Sequence, residues 1–142
     1  MAPQVACKAC DGFNPGKRVH RLFLGWRNAK DAGKSNKDGH VPATPHVEVC
    51  PSCVNRIPER SRRKTMGTLG DARGRLYFLE RYDWDEGGTI GFHNSDYYAV
   101  PGSVFYLSAK DASRFLRNAV RAVRKADAER TRRLKRTNRR RT

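Results

Sequence analysis

All four cysteines of the chain fall in two matched pairs, Cys7-Lys8-Ala9-Cys10 and Cys50-Pro51-Ser52-Cys53. Thiolates two residues apart on a tight turn supply two corners of a tetrahedron without strain, and two such turns close a structural shell around one ion. The pattern predicts a Zn2+ site built from Cys7, Cys10, Cys50 and Cys53. A redox motif would need only one pair, usually in a βαβ context, which this sequence lacks. His20, His40 and His46 are the histidines that could stand in for a thiolate, with His46 four residues before Cys50; all-thiolate ligation is the expectation.

The composition shows why a metal is needed. Hydrophobic residues make up 37% of 142 positions, against about 45–50% in ordinary globular proteins. Such a chain builds a small core at most. Its net charge is +16, which points to a polyanionic partner, with nucleic acid as the default and an anionic membrane surface as the lesser reading. No stretch approaches the roughly 18 apolar residues of a membrane span. The start Met1-Ala2-Pro3-Gln4-Val5 lacks the pattern of a signal peptide. Metal-spaced cysteines without an export signal predict a cytoplasmic protein, associated with nucleoid or ribosome.

Charge divides the sequence into three parts. Residues 1–64 carry 13 Lys/Arg against 5 Asp/Glu, residues 65–110 carry 4 against 6, and residues 111–142 carry 13 against 3. The predicted organisation is a zinc-binding module with a basic cluster over 1–64, an antiparallel sheet plus amphipathic helix over 65–126, and a basic tail over 127–142, disordered or a frayed helix. The expected fold class is α+β: a small zinc-knuckle module, then an antiparallel β-meander, then a long C-terminal basic amphipathic helix.

Within the first part, Val19–Trp26 reads as a strand and Val47–Val49 as a short strand delivering Cys50, with a long polar loop over 27–46 between them. A short helix after Cys53 would end near Pro58. In the middle part, Arg75–Tyr82 reads as a strand, Asp85-Glu86-Gly87-Gly88 as a hairpin turn, and Thr89–Phe92 as the return strand. His93-Asn94-Ser95-Asp96 reads as a second turn, and Tyr97–Val100 and Val104–Leu107 as further strands flanking Pro101-Gly102-Ser103. Nine of the thirteen aromatic residues lie in 75–106 and are expected to form the core of this sheet. Base stacking by Tyr77, Tyr82, Tyr97 and Tyr98 is the less favoured alternative. Ser108 is the N-cap of the last helix, and Phe115, Leu116, Ala119, Val120 and Val123 form its apolar stripe, which fades after Ala126.

Turn, strand, long excursion, strand, turn and short helix together resemble the zinc-ribbon and treble-clef class of zinc fingers. The resemblance rests on Cys7, Cys10, Cys50 and Cys53 and covers roughly residues 5–60; the 39 residues between the knuckles make it longer than compact members. It implies a metal-stabilised module of a kind that often binds DNA, RNA or ribosomal components, and sometimes proteins.

The functional expectation is a non-catalytic nucleic-acid-binding protein, for DNA or RNA and possible association with the ribosome. Arginine outnumbers lysine 21 to 9, and planar guanidinium groups fork onto phosphates. One phosphate-binding cluster is Arg56, Arg60, Arg62, Arg63 and Lys64, directly after the second knuckle. The other runs through Arg114, Arg117, Arg121 and Arg124 into the tail residues Arg132, Arg133, Arg136, Arg139, Arg140 and Arg141. Two alternatives stand beside it. One is a small phage- or plasmid-type factor that binds a host protein such as polymerase or ribosome through the aromatic segment. The other is a metal-dependent nuclease using His93 and Asn94, although turn chemistry already accounts for the acids around them.

Overall fold

The computed structural model describes residues 3–27, 44–86 and 95–140. The loop over 28–43, the anticipated return strand, and the pair His93-Asn94 lie outside the described residues. The fold is α+β. A two-stranded ribbon, β1 (Val5–Ala6) with β2 (Phe13–Asn14), carries the first cysteine turn between its strands. The main sheet begins with β3 (Arg18–Trp26) and β4 (His46–Val49), whose alternating and β-branched residues suit a pleated surface. Helix α1 (Pro51–Asn55) follows the second cysteine turn, with Pro51 in the first turn, where its missing N–H costs nothing. The helix therefore contains Cys53 rather than following it.

Strand β5 (Arg75–Glu86) is longer than its hydrophobic run. Asp85 and Glu86, expected in a turn, continue the strand and pair with Asp96 and Ser95 of β6 (Ser95–Ala99). Strand β7 (Phe105–Leu107) pairs with the other half of the same edge of β5, Tyr77–Leu79. The sheet order is β4-β3-β5-β6, with β7 also on β5. The antiparallel strand meander has β6 and β7 sharing one edge of β5. At the bend between them Ser103 Oγ donates to Val100 O and accepts from Arg81 N.

Strand β3 pairs with β5 over its whole length, from Arg18↔Asp83 to Trp26↔Arg75. The charge boundary at residue 64 thus falls inside one continuous sheet. At Gly25 a Cβ would sit 3.0 Å from the Phe78 ring, so glycine leaves that ring its place on the sheet.

The predicted single helix is two helices. Ser108 caps α2 (Ala109–Phe115), its side chain accepting from Asp111 N, and the chain breaks at Leu116 (φ −133°, ψ 41°) before α3 (Arg117–Arg140). The break lets Leu116 turn inward, fully buried, while Ala119, Val120 and Val123 face the sheet. These residues pack with Leu22, Leu24, Val49, Tyr77, Leu79 and Leu107, and with Cys7, Cys50 and Cys53, in one core. Helix α3 crosses β3 and β4, so the C-terminal helix closes over strands of the N-terminal part.

Helix α3 continues through the anticipated tail. Where its apolar stripe ends, Asp127 is 5% exposed and paired with Arg75, and Thr131 Oγ1 bonds back to Asp127 O. A buried ion pair extends the packed face where hydropathy shows nothing. Among the described residues, no helix is long and apolar enough to cross a membrane.

The aromatic residues are placed differently from expectation. Among the described aromatic residues of this segment, Tyr77 alone belongs to the buried core, with Phe105 packed against it. Strand alternation puts Phe78, Tyr82 and Trp84 on the opposite face of β5, beside Phe23 of β3, Tyr97 of β6 and Tyr106 of β7.

Candidate metal centre

The first cysteine turn is shaped by its backbone. Cys7 N donates to Gly12 O, Asp11 N donates to Cys7 O, and Asp11 takes a positive φ of 59°, a conformation Asp tolerates better than most residues. Gly12 lies against Cys10, since a Cβ there would meet its sulfur at 3.3 Å. The second turn sits where β4 runs into α1, with Cys50 extended at the N-cap (φ −72°, ψ 155°). Lys8 N donates to Glu48 O at 2.9 Å and ties the two turns together.

The four sulfurs converge, all within 4.8 Å of one another. Cys7 and Cys53 lie 3.8 Å apart, Cys10 and Cys50 3.8 Å, and Cys50 and Cys53 3.5 Å. These are no disulfides, whose sulfurs approach to about 2.05 Å. A tetrahedron with metal–sulfur bonds of about 2.3 Å has edges of about 3.8 Å, so the spacing is that of a four-thiolate shell. Amides point at the sulfurs as well: Ala9 N and Cys50 N donate to Cys7 Sγ at 3.3 and 3.2 Å. The four cysteines are positioned to hold a metal ion, and neither of the described histidines, His20 and His46, takes a corner.

The thiols also show why a cation belongs there. Burial pushes the Cys7 thiol up, but amide donors from Cys50, Cys10 and Ala9 outweigh it and bring it from 9.0 to about 7. Burial raises Cys50 and Cys53, and the neighbouring sulfurs raise Cys53 further. Several thiolates cannot share so small a space without a positive charge between them. Cys7, Cys50 and Cys53 are buried and Cys10 is exposed. Beside Cys10, Phe13 is 73% exposed and lines a shallow cleft with Pro15, Lys17, Arg18 and Pro51.

The basic residues fall into distinct places. Arg56 is exposed at the C-cap of α1, and Arg60, Arg63 and Lys64 are exposed after it. Arg62 is turned inward: its Nε donates to Ile57 O, its Nη2 to Val54 O, and its guanidinium lies 5.1 Å from the Phe105 ring centre. Those contacts satisfy carbonyls at the end of α1. Arg114 is exposed above the Phe115 ring. Along α3, Arg117, Arg121, Arg124, Arg132, Arg133 and Arg136 are exposed, although Arg124 Nε also donates to Tyr77 OH at 2.5 Å. Arg139 and Arg140 belong to α3, and Arg141 lies outside the described residues. Asp83 accepts both Nε and Nη2 of Arg81 at 2.9 Å, which holds its carboxyl below the usual range.

Sequence reasoning missed the ring-bearing face of the sheet. Phe23 and Phe78 stack with centroids 4.9 Å apart and planes 7° from parallel. Tyr82 lies 6.4 Å from Phe23 and Tyr106 5.9 Å from Phe78. The Arg21 guanidinium sits 4.3 Å from the Tyr82 ring centre and 5.7 Å from that of Tyr97, which meets Trp84 edge-on. The available signal was parity: residues 78, 82 and 84 share one face of β5, and Tyr77 and Leu79 the other. Comparison with family models, curated proteins and solved structures gives no match for this chain.

Proposed function

We propose that this is a Zn2+-stabilised, non-catalytic protein that binds nucleic acid through exposed arginines. The four-thiolate shell suits zinc, which accepts tetrahedral sulfur ligands and needs no open position in a structural site. The ion would hold the turn between β1 and β2 against the β4–α1 junction, and would carry no chemistry of its own.

The observation that supports nucleic-acid binding is α3. Between Arg117 and Arg140 it holds eleven Lys/Arg against Asp127 and Glu129, a net of +9, and Asp127 is already engaged by Arg75. A helix so charged is self-repelling unless a polyanion lies along it. Exposed Arg117 and Arg121 are one turn apart, as are Arg132 and Arg136, spaced to meet successive phosphates. Cytoplasmic location, with nucleoid or ribosome, belongs to the same reading.

A salt titration tests it. Binding of a labelled oligonucleotide should weaken steeply between about 50 and 200 mM salt, by on the order of 10³-fold for six phosphate contacts. Replacing Arg117, Arg121, Arg132 and Arg136 together by Gln should flatten that slope. Affinity that ignores salt would reject the reading. A second reading, contact with a host protein, is favoured by exposed Phe13 in its cleft beside the cysteine shell. Capture of a partner that survives high salt and is lost in Phe13→Ser would favour it.

A further inference from the structure

Two sets of residues that the sequence keeps apart meet at one edge of the sheet. Arg63 pairs with Tyr106 as an isolated antiparallel bridge: Arg63 N donates to Tyr106 O at 2.9 Å, and Tyr106 N to Arg63 O at 2.7 Å. Directly paired residues project to the same side of a sheet. Arg63 therefore extends the ring-bearing face rather than the core face, and it is exposed, as is Lys64 after it. From this corner the rings run without interruption through Tyr106, Phe78, Phe23 and Tyr82, joined by centroid distances of 5.9, 4.9 and 6.4 Å.

We infer that this face binds a single-stranded nucleic acid, with bases stacking on Tyr106, Phe78, Phe23 and Tyr82 and the backbone held at Arg63. The inference rests on the nucleic-acid reading above and deepens it, because it names the strandedness. The α3 arginines grip any phosphate backbone, single or double. Rings act only on bases whose faces are open, and a duplex keeps its bases stacked on one another. A second copy of this chain is disfavoured as the occupant, since each copy carries +16. An apolar protein partner fits poorly with Arg21, Glu48 and Glu80, which share this face among the rings.

The test uses the full-length zinc-loaded chain and three labelled probes at one salt concentration: oligo(U) of twelve nucleotides, a blunt duplex of twelve base pairs, and heparin. The expected result is oligo(U) bound at least tenfold more tightly than the duplex. Phe78→Leu and Tyr106→Leu keep apolar bulk and remove the ring faces. Each should weaken oligo(U) binding about 5–20-fold and leave duplex and heparin binding unchanged. Equal affinity for both nucleic acids, with the leucine variants silent, overturns the inference and leaves the nucleic-acid reading intact. No binding to any of the three at low salt overturns both. Where a variant does not fold, photo-cross-linking of wild-type protein to oligo(4-thio-U) decides: adducts on Tyr106, Phe78 or Phe23 support the platform, and adducts confined to α3 overturn it.

Discussion

Arg75 at the start of β5 forms a buried ion pair with Asp127 in the middle of α3, fifty-two residues away. The Arg75 guanidinium also lies 4.7 Å from the centre of the Trp26 ring. Through these contacts the sheet holds the helix beyond the last apolar residue of its stripe, and carries the basic C-terminal half of α3 as a continuation of a packed element.

That pairing sets the first expectation. Asp127→Ala leaves Arg75 charged and largely buried without its partner, and should cost about 3 kcal/mol of stability, in the range for breaking a buried pair. The double variant Arg75→Met, Asp127→Leu should recover most of that loss. Denaturant unfolding of the single and double variants measures both. A double variant as unstable as Asp127→Ala would show that the site needs the ion pair itself.

Arg62 and Arg60 should part company, although both belong to one basic cluster in sequence. Arg62 donates to the Val54 and Ile57 carbonyls, so Arg62→Ala should lower stability by roughly 1–3 kcal/mol, the scale of charge-assisted hydrogen bonds. Arg60→Ala, at an exposed position, should leave stability within about 0.5 kcal/mol. Thermal melts separate the two. Equal and negligible shifts would contradict the role given to Arg62.

His20 should make the fold acid-sensitive. Its ring is pressed down from 6.5 to about 4 by burial, and then by the charges of Arg81, Arg62 and Arg18, against a smaller opposing pull from Asp83. The folded state therefore binds fewer protons than the unfolded chain between those two values, so stability falls as pH drops from about 6.5 to about 4. Cysteine protonation weakens metal binding in the same direction in every variant, so the readout is a difference. With zinc in excess, the melting temperature of wild type minus that of His20→Gln should shrink by a few degrees between about pH 7 and 4.5. Parallel curves would contradict the depressed ring.

How far the fold could be read in advance depended on how local its causes are. The cysteine shell was legible because its chemistry is carried by two four-residue turns, and the Ser108 cap because the hydroxyl and the amide of Asp111 lie three residues apart. The pairing of β3 with β5 was not, since nothing local specifies a partner strand some fifty residues on. The helix break at Leu116 was missed because its stripe continues in phase on either side. The packing of the helix beyond Ala126 was not legible because Asp127 owes its burial to Arg75. The aromatic face was misassigned for a different reason: counting rings by segment ignored the period of two that sends Tyr77 inward and Phe78 outward.

The claim on which the rest stands is that one metal ion joins both knuckles and completes the small core. Native mass spectrometry of the freshly purified full-length chain measures it directly. The expected spectrum shows one zinc per chain with all four cysteines reduced, and removal of the ion by a chelator should abolish the cooperative melt. A metal-free chain that melts cooperatively, with its cysteines free or oxidised in pairs, would contradict the account.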